Sequence, residues 1–571
     1  MPHFRKPLAI AIALVVAVGA ASTTMAKTSG HAAPAKADSR AKLMAAHRGG
    51  TFKILAKGAG GSLDPQINYT LQYWQLYQAT QDGLVAFRHA AGTKAFTIVP
   101  DLAVAIPKPT AGGKTWTFKL RKGIKYSTGA TVQPRDFLWT FQRIFKVHTP
   151  TAGGFYSGIV GADKCLKTPA TCDLSKGVVI NNKAGTVTFH LVAGDAEWLD
   201  KLAVPHASVL PWGTPNKDLG TKLPPSTGAY HFTKYDPNHE LVLERNPNFK
   251  EWSADAQPAG FPDKIVQSFG LSVEAEVTQI ENGQADFLFD FPPADRLNEI
   301  GTKYPNQVHI NTLFADWYLP MNVNIPPFNN KLARQAVNWA IDRNAAVRIK
   351  GGPKTAVPAC QMLPPGFPGH VDYCPYTKNP GTGKWSAPDL AKAKALVKQS
   401  GTAGAKVAVV GADDETTKGI ATYIQSVLNS IGYKATIKPL SSNISFTYMQ
   451  NSKNKVQIAV TQWYQDYPQA SDFLNVLLGC GSFHPGSDTS INISGYCNKK
   501  VDAQMKQALK LGIEDPPAAL KLWAKVDKAT TDDAAQAVLF NPRLIDFVSK
   551  RVGNYIWSAQ FYMLVDQAWV Q

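Results

Sequence analysis

The sequence predicts an α/β protein made of more than one compact lobe. Three observations carry this expectation. Roughly 520 residues follow the basic and apolar start of the chain, more than one hydrophobic core usually holds. The segment from AKVAVVG (405–411) through a helical stretch over 415–431 to KATIKPL (434–440) reads as strand, helix, strand, a parallel β-α-β unit. Elsewhere, alternation and turn chemistry predict strand and hairpin structure, in KTWTFKLRKG (114–123) and GAYHFTKYDPNHELVLERNP (228–247).

The elements follow in order. Arg5 and Lys6 precede an apolar run from Leu8 to Val18, then small residues and Thr24-Met25-Ala26. This is the pattern of a secretory signal peptide over 1–26, and the run is short of the ~20 residues of a membrane span. Residues 27–48, rich in Ala, Lys, Ser and Thr, are expected to be a flexible linker. TFKILAKG (51–58) reads as a strand, and NYTLQYWQLYQATQDGLV (68–85) as a helix carrying Tyr69, Tyr73, Trp74 and Tyr77. In KTWTFKLRKG, Trp116, Phe118 and Leu120 alternate with polar residues, a half-buried strand. Thr131 is placed to cap a helix through Phe145. Asp236-Pro237-Asn238 turns the hairpin. Pro326-Pro327-Phe328 leads into NKLARQAVNWAIDRNAAVRI, a helix in which Arg334 and Asp342 are expected to maintain the fold. Ser386 and Asp389 have capping-box spacing for a helix through Gln399. After the β-α-β unit, a helix around 444–451 leads to one more strand, KVQIAVTQWY (455–464), ending just before Asp466.

Charge and cysteines bound the function. The formal charge is +18, but Lys and Arg are scattered with no run of five. A solvated basic surface fits this better than the concentrated stripe of a nucleic-acid binder. The six cysteines fall as three local pairs: Cys165 with Cys172, Cys360 with Cys374, Cys480 with Cys497. Six cysteines allow fifteen connectivities. Nearest-neighbour disulfides are expected because each pair brackets a loop-like segment. No pair has the two-residue gap of a zinc knuckle.

Catalytic signatures fail on inspection. No serine sits in a Gly-x-Ser-x-Gly elbow. His239-Glu240 starts like a zinc-protease helix, but the fifth position is Leu243. Gly113-Lys114-Thr115 resembles the end of a phosphate loop, but Lys108 stands where the leading glycine belongs. The expectation is no catalytic residue, no metal and no cofactor.

One aspartate stands out. In QWYQDYPQASDFLN (462–475), Asp466 follows Trp463 and Tyr464 and precedes Tyr467. As the residue after a strand of a parallel sheet, it is expected at the floor of a ligand crevice. Asp472 is read as the cap of a helix beginning near Phe473.

Four blocks carry a resemblance: GKTWTFKLRKGIKYSTGATVQPRDFLWTFQRI, STGAYHFTKYDPNHELVLERNPNF, IPPFNNKLARQAVNWAIDR and WYQDYPQASDFLN. In this order they resemble the family 5 extracellular solute-binding proteins, the oligopeptide-, dipeptide- and nickel-binding components of ABC importers. The resemblance implies a two-lobed periplasmic-binding-protein-like fold of the class II, three-subdomain type, with a hinged cleft. It implies a first lobe over 49–310 with a subdomain inserted at about 70–215, a second lobe over 311–525, and a C-terminal segment, 526–571, returning to the first. The first crossing is expected near Asn311 to Ile325. It also implies that Asp466, in the Trp463-Tyr464-Gln465-Asp466-Tyr467 loop, pairs with a peptide's α-amino group. Tyr69, Tyr73 and Trp74 are expected to wall the facing lobe, and Trp317 to lie near the hinge.

The implied function is extracytoplasmic: binding a peptide or other small solute and docking, as a monomer, on ABC permease subunits. Nucleic acid is not an expected partner. Many Gram-positive members carry a lipid-modified cysteine after the signal peptide; here the first is Cys165, so localisation is expected to be periplasmic or cell-envelope/extracellular, without an evident lipoprotein cysteine. The alternatives are the same fold holding an oligosaccharide, a metal chelate or another small molecule, an exported cell-wall hydrolase, and a basic wall-associated adhesin.

Overall fold

The structure, a computed structural model, describes residues 34–571 apart from Thr489. The signal-peptide expectation lies outside the described residues. Two compact units are present, one ending at Ala46 and one covering His47–Gln571. The linker expectation needs correction where it is described, because Pro34–His47 is a helix. Its sequence, PAKADSRAKLMAAH, is dominated by strong helix formers behind a proline at the first position. Propensity makes this helix without the apolar periodicity that the sequence reading sought.

The frame of the larger unit is a ten-stranded mixed sheet. Thr51–Ala56 pairs in parallel with Lys264–Phe269 on one side and Phe287–Leu288 on the other. Glu240–Arg245 and Tyr230–Asp236 extend the first side as an antiparallel hairpin, with Asp236 opposite Glu240. The turn is the predicted one. Just before this hairpin, Gly228 lies so close to the 76–81 segment that a Cβ would sit 2.5 Å from the Ala79 carbonyl oxygen. Only glycine fits there.

The other side of the sheet is organised by one long strand, Gln536–Val548. Its first half pairs antiparallel with Ala315–Pro320 and Ala356–Pro358. Its second half pairs with Val308–Thr312 and Phe287–Leu288. Thus 308–320 and 536–548 run side by side between two hydrophobic cores. One core holds Leu55, Ile280, Ile545 and Phe547; the other holds Leu319, Val337, Leu539 and Phe540. Arg334 ties the second core to the approach of the long strand by donating to the carbonyls of Phe328 (2.8 Å) and Asp533 (2.9 Å). Asp342 caps the helix Arg343–Lys350. Both maintain the fold, as expected.

Among the described residues the unit also holds two three-stranded sheets and three two-stranded ones. Thr115–Lys119, Thr186–His190 and Val178–Asn181 pair antiparallel, with Trp116 and Phe118 inward as the alternation requires. Lys406–Ala412 pairs in parallel with Lys434–Leu440, which is the predicted β-α-β unit around the helix Glu415–Ser430.

Three local expectations are corrected. The helix Pro134–Lys146 is capped by Gln133 with Asp136, not by Thr131, because Pro134 supplies the first helical position. Asp389, not Ser386, caps Leu390–Gln399; Ser386 is engaged by Thr377. The predicted strand KVQIAVTQWY divides at Val460. Ile458–Ala459 pairs in parallel with Lys406–Ala412, whereas Thr461–Tyr464 crosses to the large sheet and pairs antiparallel with Ala315–Pro320. Asp466 therefore lies beyond the end of a large-sheet strand, not at the carboxyl end of the parallel sheet.

The three disulfides are the nearest-neighbour set: Cys165–Cys172, Cys360–Cys374 and Cys480–Cys497.

Candidate functional site

Asp466 is placed by a short loop between Thr461–Tyr464 and the helix Ala470–Leu478. Gln465 N–H donates to the Phe314 carbonyl (3.0 Å), which fixes the start of the loop on the large sheet. The Asp466 N–H donates to Asp472 Oδ2 (2.9 Å), and its carbonyl accepts from Gln560 Nε2 (2.8 Å). The helix begins at Ala470, so Asp472 is in its first turn and does not cap it; Gln469 is the flanking residue. Its place in the first turn sets the Asp472 carboxylate near the positive end of this helix.

Across from this loop, residues 64–74 present Tyr69. A fully buried ion pair organises them: Arg143 grips Asp64 with both terminal nitrogens and donates to Gln66 Oε1 (2.7 Å). The Asn68 amide donates to the carbonyls of Gly60 (2.7 Å) and Ser62 (2.8 Å), and Thr70 caps the helix Leu71–Thr80. Tyr69 then leans on Trp74 and His206, with ring centroids 5.4 and 5.3 Å away. Its hydroxyl donates to Asp466 Oδ2 at 2.5 Å.

More contacts join the same loop and helix to residues 155–200. Ser471 donates to Glu197 Oε2 (2.5 Å), Gln469 donates to Asp200 Oδ2 (3.2 Å), and the Tyr467 ring stands edge-on to Phe155 at 5.2 Å. A seam thus runs between 64–207 and the 465–472 loop. A cavity on it, bounded by Leu71, Trp74, Gln465, Gln560 and Phe561, measures about 20 Å³, room for about one water molecule.

The seam is rich in acid. Asp466, Asp472, Glu197 and Asp200 are all buried. Lys201 is committed to Asp195 (2.7 Å) and Glu197 (3.7 Å). Among the described residues, no lysine, arginine or histidine forms an ion pair with Asp466 or Asp472. Burial pushes the Asp466 carboxyl up to about 7, against the Tyr69 hydrogen bond, which favours the charged form. Burial pushes Asp472 well up too, and the neighbouring Asp466 adds to it. Asp200 rises to about 7 through burial and Glu197.

The other expected site residues divide. Trp463 is buried beside Asp472, and Tyr467 packs within the seam. Strand alternation puts Tyr464 on the opposite face from Trp463, against Leu313, Ala315 and Tyr562. Trp317 shares that face, stacked on Phe540 with centroids 5.6 Å apart. Tyr73 is taken up by the core and donates to the Tyr235 hydroxyl (3.0 Å). Sequence reasoning missed Glu197, Gln560 and the role of Asp472. Only Asp472 had a local signal, as a second acid six residues after Asp466; Glu197 meets Ser471 from 274 residues away. Among the described residues no group of three or more His, Cys, Asp or Glu is arranged to hold a metal ion, and no helix is long and apolar enough to cross a membrane.

Strands 308–320 and 536–548 running together between packed cores, beside a buried acidic seam, are what the fold of a bilobal solute-binding protein requires. Residues 97–484 match the family described as "Bacterial extracellular solute-binding proteins, family 5 Middle", and the chain belongs to that family. It is 25% identical over 461 residues to the periplasmic oligopeptide-binding protein OppA of Escherichia coli, covering 77% of this chain and 79% of that one. It is 24% identical over 472 residues to the dipeptide-binding protein of the same organism, covering 78% and 81%. Among solved structures it resembles "Clavulanic acid biosynthesis oligopeptide binding protein 2" (TM-score 0.80, 23% identity, 92% of this chain and 96% of that one). It also resembles DppA from Helicobacter pylori in complex with the peptide STSA (TM-score 0.76, 20% identity, 93% and 99%). These likenesses bear out the two-lobed periplasmic-binding-protein-like fold. The family is one of binding proteins rather than enzymes.

Proposed function

We propose that this protein captures peptides outside the cytoplasm in the cleft between its lobes and delivers them to the permease of an ABC importer. The observation that carries the reading is Asp466. Its carboxylate is enclosed at the seam and has no cation from its own chain among the described residues. A buried charge without a partner is costly. A peptide α-ammonium supplies the missing charge, and closure of the lobes completes the pair. The curated relatives, named as oligopeptide- and dipeptide-binding proteins, support the ligand class.

In this reading the first lobe is 49–310 with its insert at about 70–215, the second is 311–525, and 526–571 returns to the first. The paired strands 308–320 and 536–548 are the crossings about which the lobes rotate. Solute entry requires the seam to open, and solute must favour the closed form for binding to shift the balance. The protein acts as an exported monomer, by binding and not by catalysis. Tyr69, Trp74, Trp463 and Tyr467 shape the amine end of the site; Tyr464 and Trp317 serve the strand pair that supports it.

Isothermal calorimetry with a panel of short peptides and their Nα-acetylated forms tests this. Acetylation, and separately Asp466→Ala, should each cost about 3–5 kcal/mol of affinity. Equal affinity for free and acetylated peptides removes Asp466 from the site.

A further inference from the structure

The sequence reading gave Asp472 a structural role, and the hydrogen bond it accepts from the Asp466 N–H uses only one of its oxygens. Its other oxygen, Oδ1, is buried with no hydrogen-bond partner. Two further polar atoms beside this pair are equally unengaged: the Trp463 indole N–H and the Gln465 amide oxygen, both on residues more than nine-tenths buried. The Trp463 indole lies close enough to Asp472 to favour its charge, though it makes no aligned hydrogen bond. Gln465 borders the small cavity at the seam. Unsatisfied buried polar atoms are rare and call for a ligand or water.

Charge points to what that ligand is. Asp466 and Asp472 face each other, and Lys201, beside Glu197, is held by Asp195 and Glu197. Glu197 in turn adds to the negative field at Asp472. A single α-ammonium neutralises one carboxylate of the pair and leaves the other buried beside it. A single cation meets the pair while one carboxyl keeps its proton; a second positive charge lets both carboxylates ionise.

We infer that Asp472 is a second ligand-binding carboxylate, and that the Asp466–Asp472 pair selects ligands whose recognised end carries two positive charges. This inference rests on the amine-anchor reading of Asp466 and narrows its substrate class to peptides that begin with a basic residue. The α-ammonium meets Asp466 and the cationic side chain of the same residue meets Asp472. Tyr69, Trp463 and Gln465 orient the hydrogen bonds around the pair.

The test compares Lys-Ala-Ala with Ala-Ala-Ala by calorimetry, on the native protein and on Asp472→Asn. Asparagine keeps an oxygen to accept from the Asp466 N–H, so the loop retains its support while the charge is removed. The native protein should prefer the lysine peptide by about tenfold or more, and Asp472→Asn should bring the ratio within about twofold. The ratio is read within one preparation, so a general loss of stability does not move it. Tight binding of both peptides with equal affinity to the native protein, or an unchanged ratio in the variant, overturns the inference and leaves the amine anchor standing. Binding of neither peptide overturns both.

Discussion

The Tyr69 hydroxyl donates to the Asp466 carboxylate at 2.5 Å across 397 residues of sequence. It joins the segment before the helix Leu71–Thr80 to the loop after the strand Thr461–Tyr464, and it favours the charged form of an acid that burial would otherwise protonate. Tyr69→Phe should therefore raise the Asp466 pKa further and weaken binding of a cationic peptide at neutral pH. The expected loss is about 1–2 kcal/mol, the scale of a hydrogen bond to a charged group. Calorimetry at pH 7 checks it; an unchanged affinity removes this hydrogen bond from the binding site.

The pH dependence of stability follows from the buried acids. Burial holds Asp200 and Asp546 up to about 7. In the unfolded chain the same groups release their protons near pH 4. Between about pH 4 and 7 the folded protein binds more protons than the unfolded chain, so stability falls as pH rises through that window and then levels. Asp236 and Asp533 act in the opposite sense, because their hydrogen bonds lower their pKa and their contribution is lost only as pH falls below the ordinary carboxylate range. The unliganded protein should melt at a higher temperature at pH 5 than at pH 8 in a calorimetric scan. Affinity for a cationic peptide should move the other way, rising from pH 5 to pH 7 as Asp466 ionises while the peptide α-ammonium stays protonated.

The Asp64–Arg143 pair tests how the facing wall is held. Both side chains are fully buried, and Asp64 also accepts from the N–H groups of Gln66 (3.0 Å) and Leu219 (3.2 Å). Asp64→Ala strands the guanidinium in the core and should cost about 3–5 kcal/mol of stability. Because this pair anchors the turn that carries Tyr69, peptide affinity should fall with it. Urea unfolding and calorimetry on the same sample read both effects.

The Cys480–Cys497 bridge spans 17 residues and encloses Ser490, Asn492 and Ser494, all fully buried. Replacing both cysteines by serine should lower unfolding free energy by about 3 kcal/mol, judged from loop length. Replacing Cys165 and Cys172, only seven apart, should cost less. Denaturant midpoints of the two double variants give the order.

Much of the fold was legible because its local patterns are unambiguous. Alternation in KTWTFKLRKG, the Asp236-Pro237-Asn238 turn and the 405–440 strand-helix-strand unit each depend on neighbouring residues, and each formed where expected. Helix starts were read a few residues off where capping residues compete: Thr131 against Gln133, and Ser386 against Asp389. The run KVQIAVTQWY was misread as one strand because apolar alternation does not say which sheet a strand joins. The crossover at Val460 is a pairing choice made with Ala315–Pro320, far away in sequence.

The same division holds at the site. Residue type and order alone set Asp466 among rings and carried the resemblance to the family, because local motifs belong to the residues themselves. Only the tertiary structure decided that Tyr69 caps this carboxylate, that Asp472 and Glu197 crowd it with negative charge, and that Tyr73 belongs to the core. Those facts depend on which distant surfaces exclude water from one another, and desolvation, unlike periodicity, leaves no mark on a linear string.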